Sequence, residues 1–265
     1  MANAPMIEIR DLSLAFPNPT GANPASADGR TVVLRDFNLL VAPGEFIAIV
    51  GASGVGKSTL LRVVAGLVPP NSGTVSHAQS GDLKGRRPYG LVFQDARLLP
   101  WRTVRSNVAF GLEGLGLARA ERRRRAEDAL ALVGLADKAG RWPHQLSGGQ
   151  RQRVAIARAL AIDPDLLMMD EPFGALDAIT RQTLQDELLD LWRRTSKTIL
   201  FVTHDIDEAV YLADRVILLA GSPATVRSED RIGTARPRAR DDNAARALAT
   251  RIRDRLSDLM DGGGI

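Results

Sequence analysis

Short unbroken apolar runs recur along the chain: FIAIV (46–50), YGLVFQ (89–94), DLLMMD (165–170), TILFVTH (198–204) and VILLA (216–220). Runs of this length suit strands covered on both faces of a parallel sheet. Residues 6–16 alternate more loosely and read as a first strand, and RTVVLRDFNLLV (30–41) as a second. Between the runs, apolar positions fall at helical spacing over Lys57 to Leu67, over 178–194 and over DIDEAVYLADR (205–215). Residues 103–160 keep that spacing with little strand character, which predicts a helical lobe inserted between strands. VILLA reads as the last strand. The tail from 243 to 260 is amphipathic, with Leu248, Ile252, Leu256 and Leu259 on one stripe. Strands alternating with helices predict an α/β core.

Composition narrows this picture only a little. With 265 residues, 45% of them hydrophobic, the chain can bury one core and a smaller inserted lobe. It has no cysteine, which excludes disulfides, thiolate metal sites and a cysteine nucleophile. The N-terminus shows no basic flank followed by an apolar core, so no signal peptide is expected. No apolar run reaches the ~20 residues of a membrane helix. PNPTGANPASADG (17–29) reads as a loop and GGGI (262–265) as a frayed end. The formal net charge of +4 reads as a mixed, solvated surface. ERRRRAED (121–128) reads as a solvated helix face, its basic run flanked by acids, and no nucleic-acid partner is expected.

GASGVGKST (51–59) follows a buried apolar run and opens a helical segment. That is the setting in which G-x-x-x-x-G-K-[ST] cradles phosphates. Gly51, Ala52, Ser53, Gly54, Val55, Gly56, Lys57, Ser58 and Thr59 are the candidate residues. Backbone N–H groups of the loop and the positive end of the helix meet phosphate oxygens. Lys57 reaches the β- and γ-phosphates and the Ser58 hydroxyl ligates Mg²⁺. Only four of the 35 basic residues are lysines, so a lysine here runs against the composition.

Two carboxylates end the run DLLMMD: Asp170 and Glu171. Ligands of open α/β sheets collect at such strand ends, and successive strand residues point to opposite sides. The pair can therefore divide its work, Asp170 holding Mg²⁺ through water and Glu171 facing an attacking water. His204 closes another buried run in the same way and can donate to a γ-phosphate oxygen. Asp205 with Glu208 three positions on reads as the start of the next helix.

HQLSGGQRQRVAIARAL (144–160) is a second glycine-rich helix start. Ser147 and Gln150 are spaced as a capping box. Such a box does not require Gly148 and Gly149, which remove side chains where an incoming anion would approach the backbone. This start belongs to the helical lobe and not to the strand carrying GASGVGKST. The expected arrangement is two copies paired head to tail, each nucleotide lying between the P-loop of one and the SGGQ helix of the other.

With GASGVGKST, LSGGQ (146–150), MMDEP, GALD (174–177) and His204 in this order, the chain resembles the nucleotide-binding subunits of ABC transporters over residues 6–220. The resemblance implies a P-loop NTPase fold with an antiparallel β subdomain and an inserted helical subdomain over about 95–160. It places the domain at 6–235 and a short helical tail at 236–265. It implies ATP and Mg²⁺, Gln94 joining the metal and the γ-phosphate, and Asp177 at the dimer seam. Glu171 takes the place of the general base and His204 of the switch histidine. The family stacks an aromatic on adenine; Phe16 is the candidate, with core packing as the other reading. Ser58, Gln94 and Asp170 are the metal candidates. The partners implied are a second copy, two integral membrane permease subunits and an extracytoplasmic solute-binding protein, at the cytoplasmic face of the inner membrane.

FQDARLLPW (93–101), VGLADKAGRWPHQLSGGQ (133–150) and RPRAR (236–240) are similar to the ATPases of aliphatic-sulfonate importers and their taurine and nitrate relatives. This implies sulfonate uptake, with taurine or nitrate as alternatives. An export motor shares the ATP chemistry. A cassette of DNA repair or translation typically carries long coiled coils or a second fused cassette, and this chain shows neither. Trp101 is expected to pack within the helical lobe, with contact to the permease as the minority reading.

Overall fold

The structure is a computed structural model and describes residues 4–17, 29–78 and 84–261. In chain order the elements are β1 (Ile7–Pro17), β2 (Arg30–Val41), β3 (Phe46–Val50), α1 (Lys57–Val64), β4 (Ser72–His77), β5 (Tyr89–Val92), α2 (Val104–Phe110), α3 (Arg119–Leu132), α4 (Gly148–Ala161), β6 (Leu166–Asp170), α5 (Ala178–Thr195), β7 (Thr198–Thr203), α6 (Ile206–Leu212), β8 (Arg215–Ala220), β9 (Thr225–Arg231) and α7 (Asn243–Asp261). They fall into two compact units, residues 1–78 with 201–265 and residues 79–200, and β7 runs through the division.

The first unit holds an antiparallel sheet of order β2-β1-β4. Ile7 pairs with Val41 on one side and His77 on the other, Ile9 with Leu39 and Val75. Ile7, Ile9, Leu12 and Leu14 are buried and neighbours on β1 are not, so the loose alternation in the sequence is that of a strand covered on one face. The unit also holds β3 parallel to β8, Val50 opposite Leu218, with β9 antiparallel to β8. Every residue of β3 and β8 is buried, as the unbroken runs predicted.

Two strands of this unit are absent from the sequence reading. β4 (SGTVSH) and β9 (TVRSEDR) are mostly polar and carry no apolar signal. VILLA is therefore not the last strand: the Gly221-Ser222-Pro223 turn returns the chain as β9. α1 ends at Val64 and not at Leu67, because Gly66 takes φ +68°. α6 ends at Leu212, since Arg215 already begins β8. In α7, Leu248 and Ile252 are buried while Leu256 and Leu259 are only partly covered. Residues 18–28 of the expected loop and 262–265 of the expected frayed end lie outside the described residues.

The second unit pairs β5 with β6 in parallel, Tyr89 opposite Leu166 and Val92 opposite Met169. α2, α3 and α4 pack on each other around Val104, Val108, Leu130, Leu135, Val154 and Ala157, so the helical stretch carries its own core. It is three separate helices because Gly114, Gly116 and Gly134 take left-handed φ and turn the chain between them. Trp101 corrects the sequence expectation: it is 70% exposed and does not pack in the lobe. ERRRRAED lies on α3 with Arg124 bonded to Glu121 and Asp128, Arg123 to Glu127 and Arg125 to Glu121. The Arg124 and Arg125 hydrogen bonds pull the Glu121 carboxyl down to about 2. Three of the four arginines thus pair with acids on their own helix. No helix among the described residues is long and apolar enough to cross a membrane.

Candidate functional site

In the first unit, β3 feeds GASGVGKST and α1 leaves it. Gly51 is fixed by packing: a Cβ there would lie 2.2 Å from the Leu219 carbonyl oxygen of β8. Gly54 and Gly56 take φ +81° and +108°, in the left-handed region that L side chains avoid. Gly56 also approaches Val33, whose Cγ1 would be 2.8 Å from an added Cβ. Gly56 is the N-cap of α1 and makes no side-chain cap hydrogen bond. Lys57 is 4% exposed, and its Nζ donates to the carbonyls of Gly51 and Ala52 at 2.8 and 3.0 Å. The ammonium therefore sits within the curve of the loop. A positive, backbone-lined cradle at a helix start fits phosphate oxygens.

His204 follows β7 in the same unit and is exposed. The backbone beside it is fixed: Asp205 caps α6 by accepting from Glu208 N at 3.1 Å, and Asp205 N donates to Thr203 Oγ1 at 3.0 Å. Phe16 is 39% exposed near the end of β1, opposite Thr31, which corrects the core-packing reading.

In the second unit, Asp170 ends β6 and both it and Glu171 are half-buried. Glu171 takes φ +44°, which costs a non-glycine residue of order 1–3 kcal/mol and is strained further by the following Pro172. The turn closes when Gly174 N donates to the Glu171 carbonyl at 3.1 Å. Gln94 lies past the end of β5, exposed. It approaches Gly174, as Glu171 does: a Cβ built on that glycine would stand 3.3 Å from Gln94 Nε2 and 3.8 Å from Glu171 Oε2. Both side chains therefore flank the Cα of Gly174.

The SGGQ start also lies in this unit. Ser147 Oγ accepts from Gln150 N at 3.3 Å and Gln150 Oε1 accepts from Ser147 N at 3.1 Å, completing the capping box. The two glycines differ. Gly149 is buried, and a Cβ there would lie 2.7 Å from Thr180 Cγ2 of α5. At Gly148 the nearest atom, Leu176 Cδ2, is 3.4 Å away, an ordinary contact. Packing inside this chain requires the second glycine and not the first. Gly149→Ala is expected to lower unfolding stability by about 1–3 kcal/mol, whereas Gly148→Ala stays within about 0.5 kcal/mol of wild type. Chemical denaturation of the two variants checks this. Asp177 caps α5 by accepting from Thr180 N at 3.0 Å, a bond that holds its carboxyl below the usual carboxylate range.

Two residues of the second unit escaped the sequence reading. Gln152, buried on α4, donates to the Phe93 carbonyl at 3.1 Å. Arg158, four residues short of the α4 C-cap, donates to the carbonyls of Ala96 and Arg97 at 2.8 and 2.9 Å. Together they tie the helix that starts at SGGQ to the backbone on both sides of Gln94. Their only sequence signal is polarity within a helix that is otherwise mostly apolar.

The family profile described as ABC transporter matches residues 34–174. The chain belongs to the ABC transporter family. It is an ATP-binding cassette with the α/β fold of that family, and the family's reaction is ATP hydrolysis. Among relatives of the cassette, the aliphatic sulfonates import ATP-binding protein SsuB of Cupriavidus necator is 54% identical over 216 residues, 80% of this chain and 68% of that protein. The taurine import ATP-binding protein TauB of Pseudomonas entomophila is 47% identical over 221 residues, 83% of this chain and 82% of that protein. The dimeric structure of a post-hydrolysis state of the ATP-binding cassette MJ0796, bound to ADP and Pi, superposes with TM-score 0.70 at 32% identity. That match covers 87% of this chain and all of the other. The cassette's P-loop and SGGQ start fall in different units.

Proposed function

We propose that this cassette is the ATP-hydrolysing subunit of an importer of aliphatic sulfonates, seated at the cytoplasmic face of the inner membrane. It works as a head-to-tail pair with two permease subunits and an extracytoplasmic solute-binding protein. The observation that carries the cargo is chemical agreement between relatives: the SsuB and TauB proteins are named for two kinds of organosulfonate, at 54% and 47% identity.

The P-loop fits a triphosphate through its uncapped α1 start and the inward Lys57 ammonium. Among the described residues no cluster of three carboxylate or imidazole groups could hold a metal by itself. Mg²⁺ commonly takes one or two protein ligands and completes its shell with phosphate and water. Ser58, Asp170 and Gln94 supply a hydroxyl, a carboxylate and an amide of that kind. The ion would neutralise charge on the phosphate oxygens. Glu171 orients a water in line and takes its proton, and His204 donates to a γ-phosphate oxygen. Phe16, exposed on β1, lies against adenine. Ser147, Gly148, Gly149 and Gln150 of the second copy close over the γ-phosphate, with Asp177 at the seam. Gly148 supports the pairing, because nothing within its own chain crowds that position.

The cargo is tested by deleting the chromosomal copy and restoring either wild type or Lys57→Ala. Growth on ethanesulfonate as sole sulfur source is expected with wild type and not with the variant, while growth on sulfate is equal. Loss of growth confined to taurine, or to nitrate as nitrogen source, assigns the alternative cargo. Unchanged growth on all three contradicts the importer reading.

A further inference from the structure

The far end of α6 is closed by side chains of the RPRAR segment (236–240). α6 has seven residues, and the last carbonyls of any helix lack partners within it. Ala213 N donates to the Ala209 carbonyl at 2.9 Å. The next four carbonyls, those of Val210, Tyr211, Leu212 and Ala213, all accept from two arginines. Arg236 Nη2 donates to that of Leu212 at 2.7 Å. The hydrogens of Arg238 Nη1 are shared among those of Val210, Tyr211 and Ala213 at 3.1, 2.9 and 2.7 Å, and its Nε donates to the Thr234 carbonyl at 3.1 Å. Arg238 is 5% exposed, so this is a buried clamp and not a solvated surface charge. Burial, with Arg236 nearby, lowers its guanidinium to about 10 against the opposing pull of Asp214 and Asp242, and it stays charged at neutral pH.

The clamp is itself anchored. Arg236 Nη1 pairs with Asp214 Oδ1 at 2.6 Å, and Asp214 Oδ2 accepts from Phe46 N at 2.9 Å. Phe46 is the first residue of β3, the strand that feeds the P-loop. Arg240 stacks 4.1 Å over the Tyr211 ring. At the other end of α6, Arg253 of α7 holds both carboxylate oxygens of Asp207 at 3.1 and 3.0 Å, and Leu248 and Ile252 of α7 are buried. The N-cap of α6 is Asp205, which directly follows His204. The stretch from 236 to 253 therefore holds both ends of the helix whose cap adjoins His204. A helix of two turns is marginal by itself, so its order comes from such contacts. Once ordered it is a rod of about 10 Å, and fixing its far end fixes its start.

We propose that Arg236 and Arg238 are positioning residues for ATP hydrolysis: they lock the last turn of α6, and the locked helix sets where His204 meets the γ-phosphate. This role rests on the reading of His204 as a donor to that phosphate. A planar guanidinium suits it, because its fork reaches several fixed carbonyls at once where an ammonium offers a single point. A displacement of about 1 Å at a group that meets the transition state can cost up to about 10²-fold in rate. Neither arginine belongs to the P-loop, so the grip on ATP is left intact. The role is independent of what the permease carries, and a failed growth test leaves it standing.

Hydrolysis of labelled Mg–ATP by the full chain tests it, in wild type, His204→Ala, Arg238→Met and the double variant. Arg238→Met is expected to lower kcat at least fivefold with KM for ATP within twofold of wild type. Hydrogen exchange of the amides of 207–213 is expected to quicken while β8 keeps its protection. In the His204→Ala background the same change is expected to cost less than twofold more, because a missing imidazole cannot be misplaced. Arg238→Lys keeps the charge and loses the fork; it is expected to fall between wild type and Arg238→Met, and it takes the place of Arg238→Met in every comparison if that variant does not fold. A slow His204→Ala beside an unaffected Arg238 variant overturns the proposal alone, as does an undiminished loss in the His204→Ala background. Wild-type hydrolysis by His204→Ala overturns the reading of His204, and the proposal with it.

Discussion

Glu171→Gln is expected to slow ATP hydrolysis by about 10²–10⁴-fold while leaving nucleotide affinity within a factor of a few. The amide matches the carboxylate in size, so the packing of the site around Gly174 survives. What is lost is the group that can accept a proton from water. With ATP bound and not cleaved, the closed pair persists and sediments as a dimer. The backbone offers a second, independent readout. Glu171 is held at φ +44° ahead of a proline, a conformation the fold imposes against the preference of the residue. Glu171→Gly accepts that φ without strain, so it is expected to melt no lower than wild type although it hydrolyses nothing. A variant that is equally stable and inactive marks a residue kept for chemistry. Near-normal hydrolysis by either variant removes Glu171 from the reaction.

Gly51→Ala is expected to cost about 3 kcal/mol of stability and most of the ATP affinity. The added methyl would stand 2.2 Å from the Leu219 carbonyl oxygen and 3.1 Å from Val55 Cγ1. The carbonyl belongs to a strand paired with β3 on one edge and β9 on the other, so it cannot give way alone. Relief must come from moving the P-loop, and that shifts Lys57, which hangs on the Gly51 and Ala52 carbonyls. Gly54→Ala is the control. No atom lies within 4 Å of its added Cβ, so only the φ of +81° opposes it and the cost stays near 1–3 kcal/mol. Thermal unfolding with and without Mg–ATP separates the two: Gly51→Ala loses both the melting temperature and its rise with nucleotide. A Gly51→Ala protein with wild-type stability contradicts the packing account.

The strands with unbroken apolar runs were legible in the sequence, because burial on both faces leaves no polar position to confuse the period. FIAIV shows this over its whole length, and LLMM does up to the half-buried Asp170. SGTVSH and TVRSEDR were not legible: they pair at sheet edges through backbone hydrogen bonds, which any side chain permits. The P-loop could be read because left-handed turns require glycine and a phosphate requires a helix start, and both leave marks at fixed spacing. Gly149 was read only for its freedom, while its contact with Thr180 depends on a helix thirty residues later. Gln152 and Arg158 were hidden for the same reason, since their acceptors are carbonyls about sixty residues away. Trp101 was misjudged because a large aromatic beside apolar neighbours usually packs, and here it is exposed.

The central claim is that each nucleotide is gripped by the P-loop of one copy and the SGGQ start of another. A mixed pair tests it directly, with Lys57→Ala chains combined with Ser147→Arg chains, each inactive alone. The account predicts one trapped nucleotide per mixed dimer, because one of its two composite sites keeps both intact halves. No trapping in the mixture, with trapping by wild type under the same conditions, would place both halves of the site in a single chain.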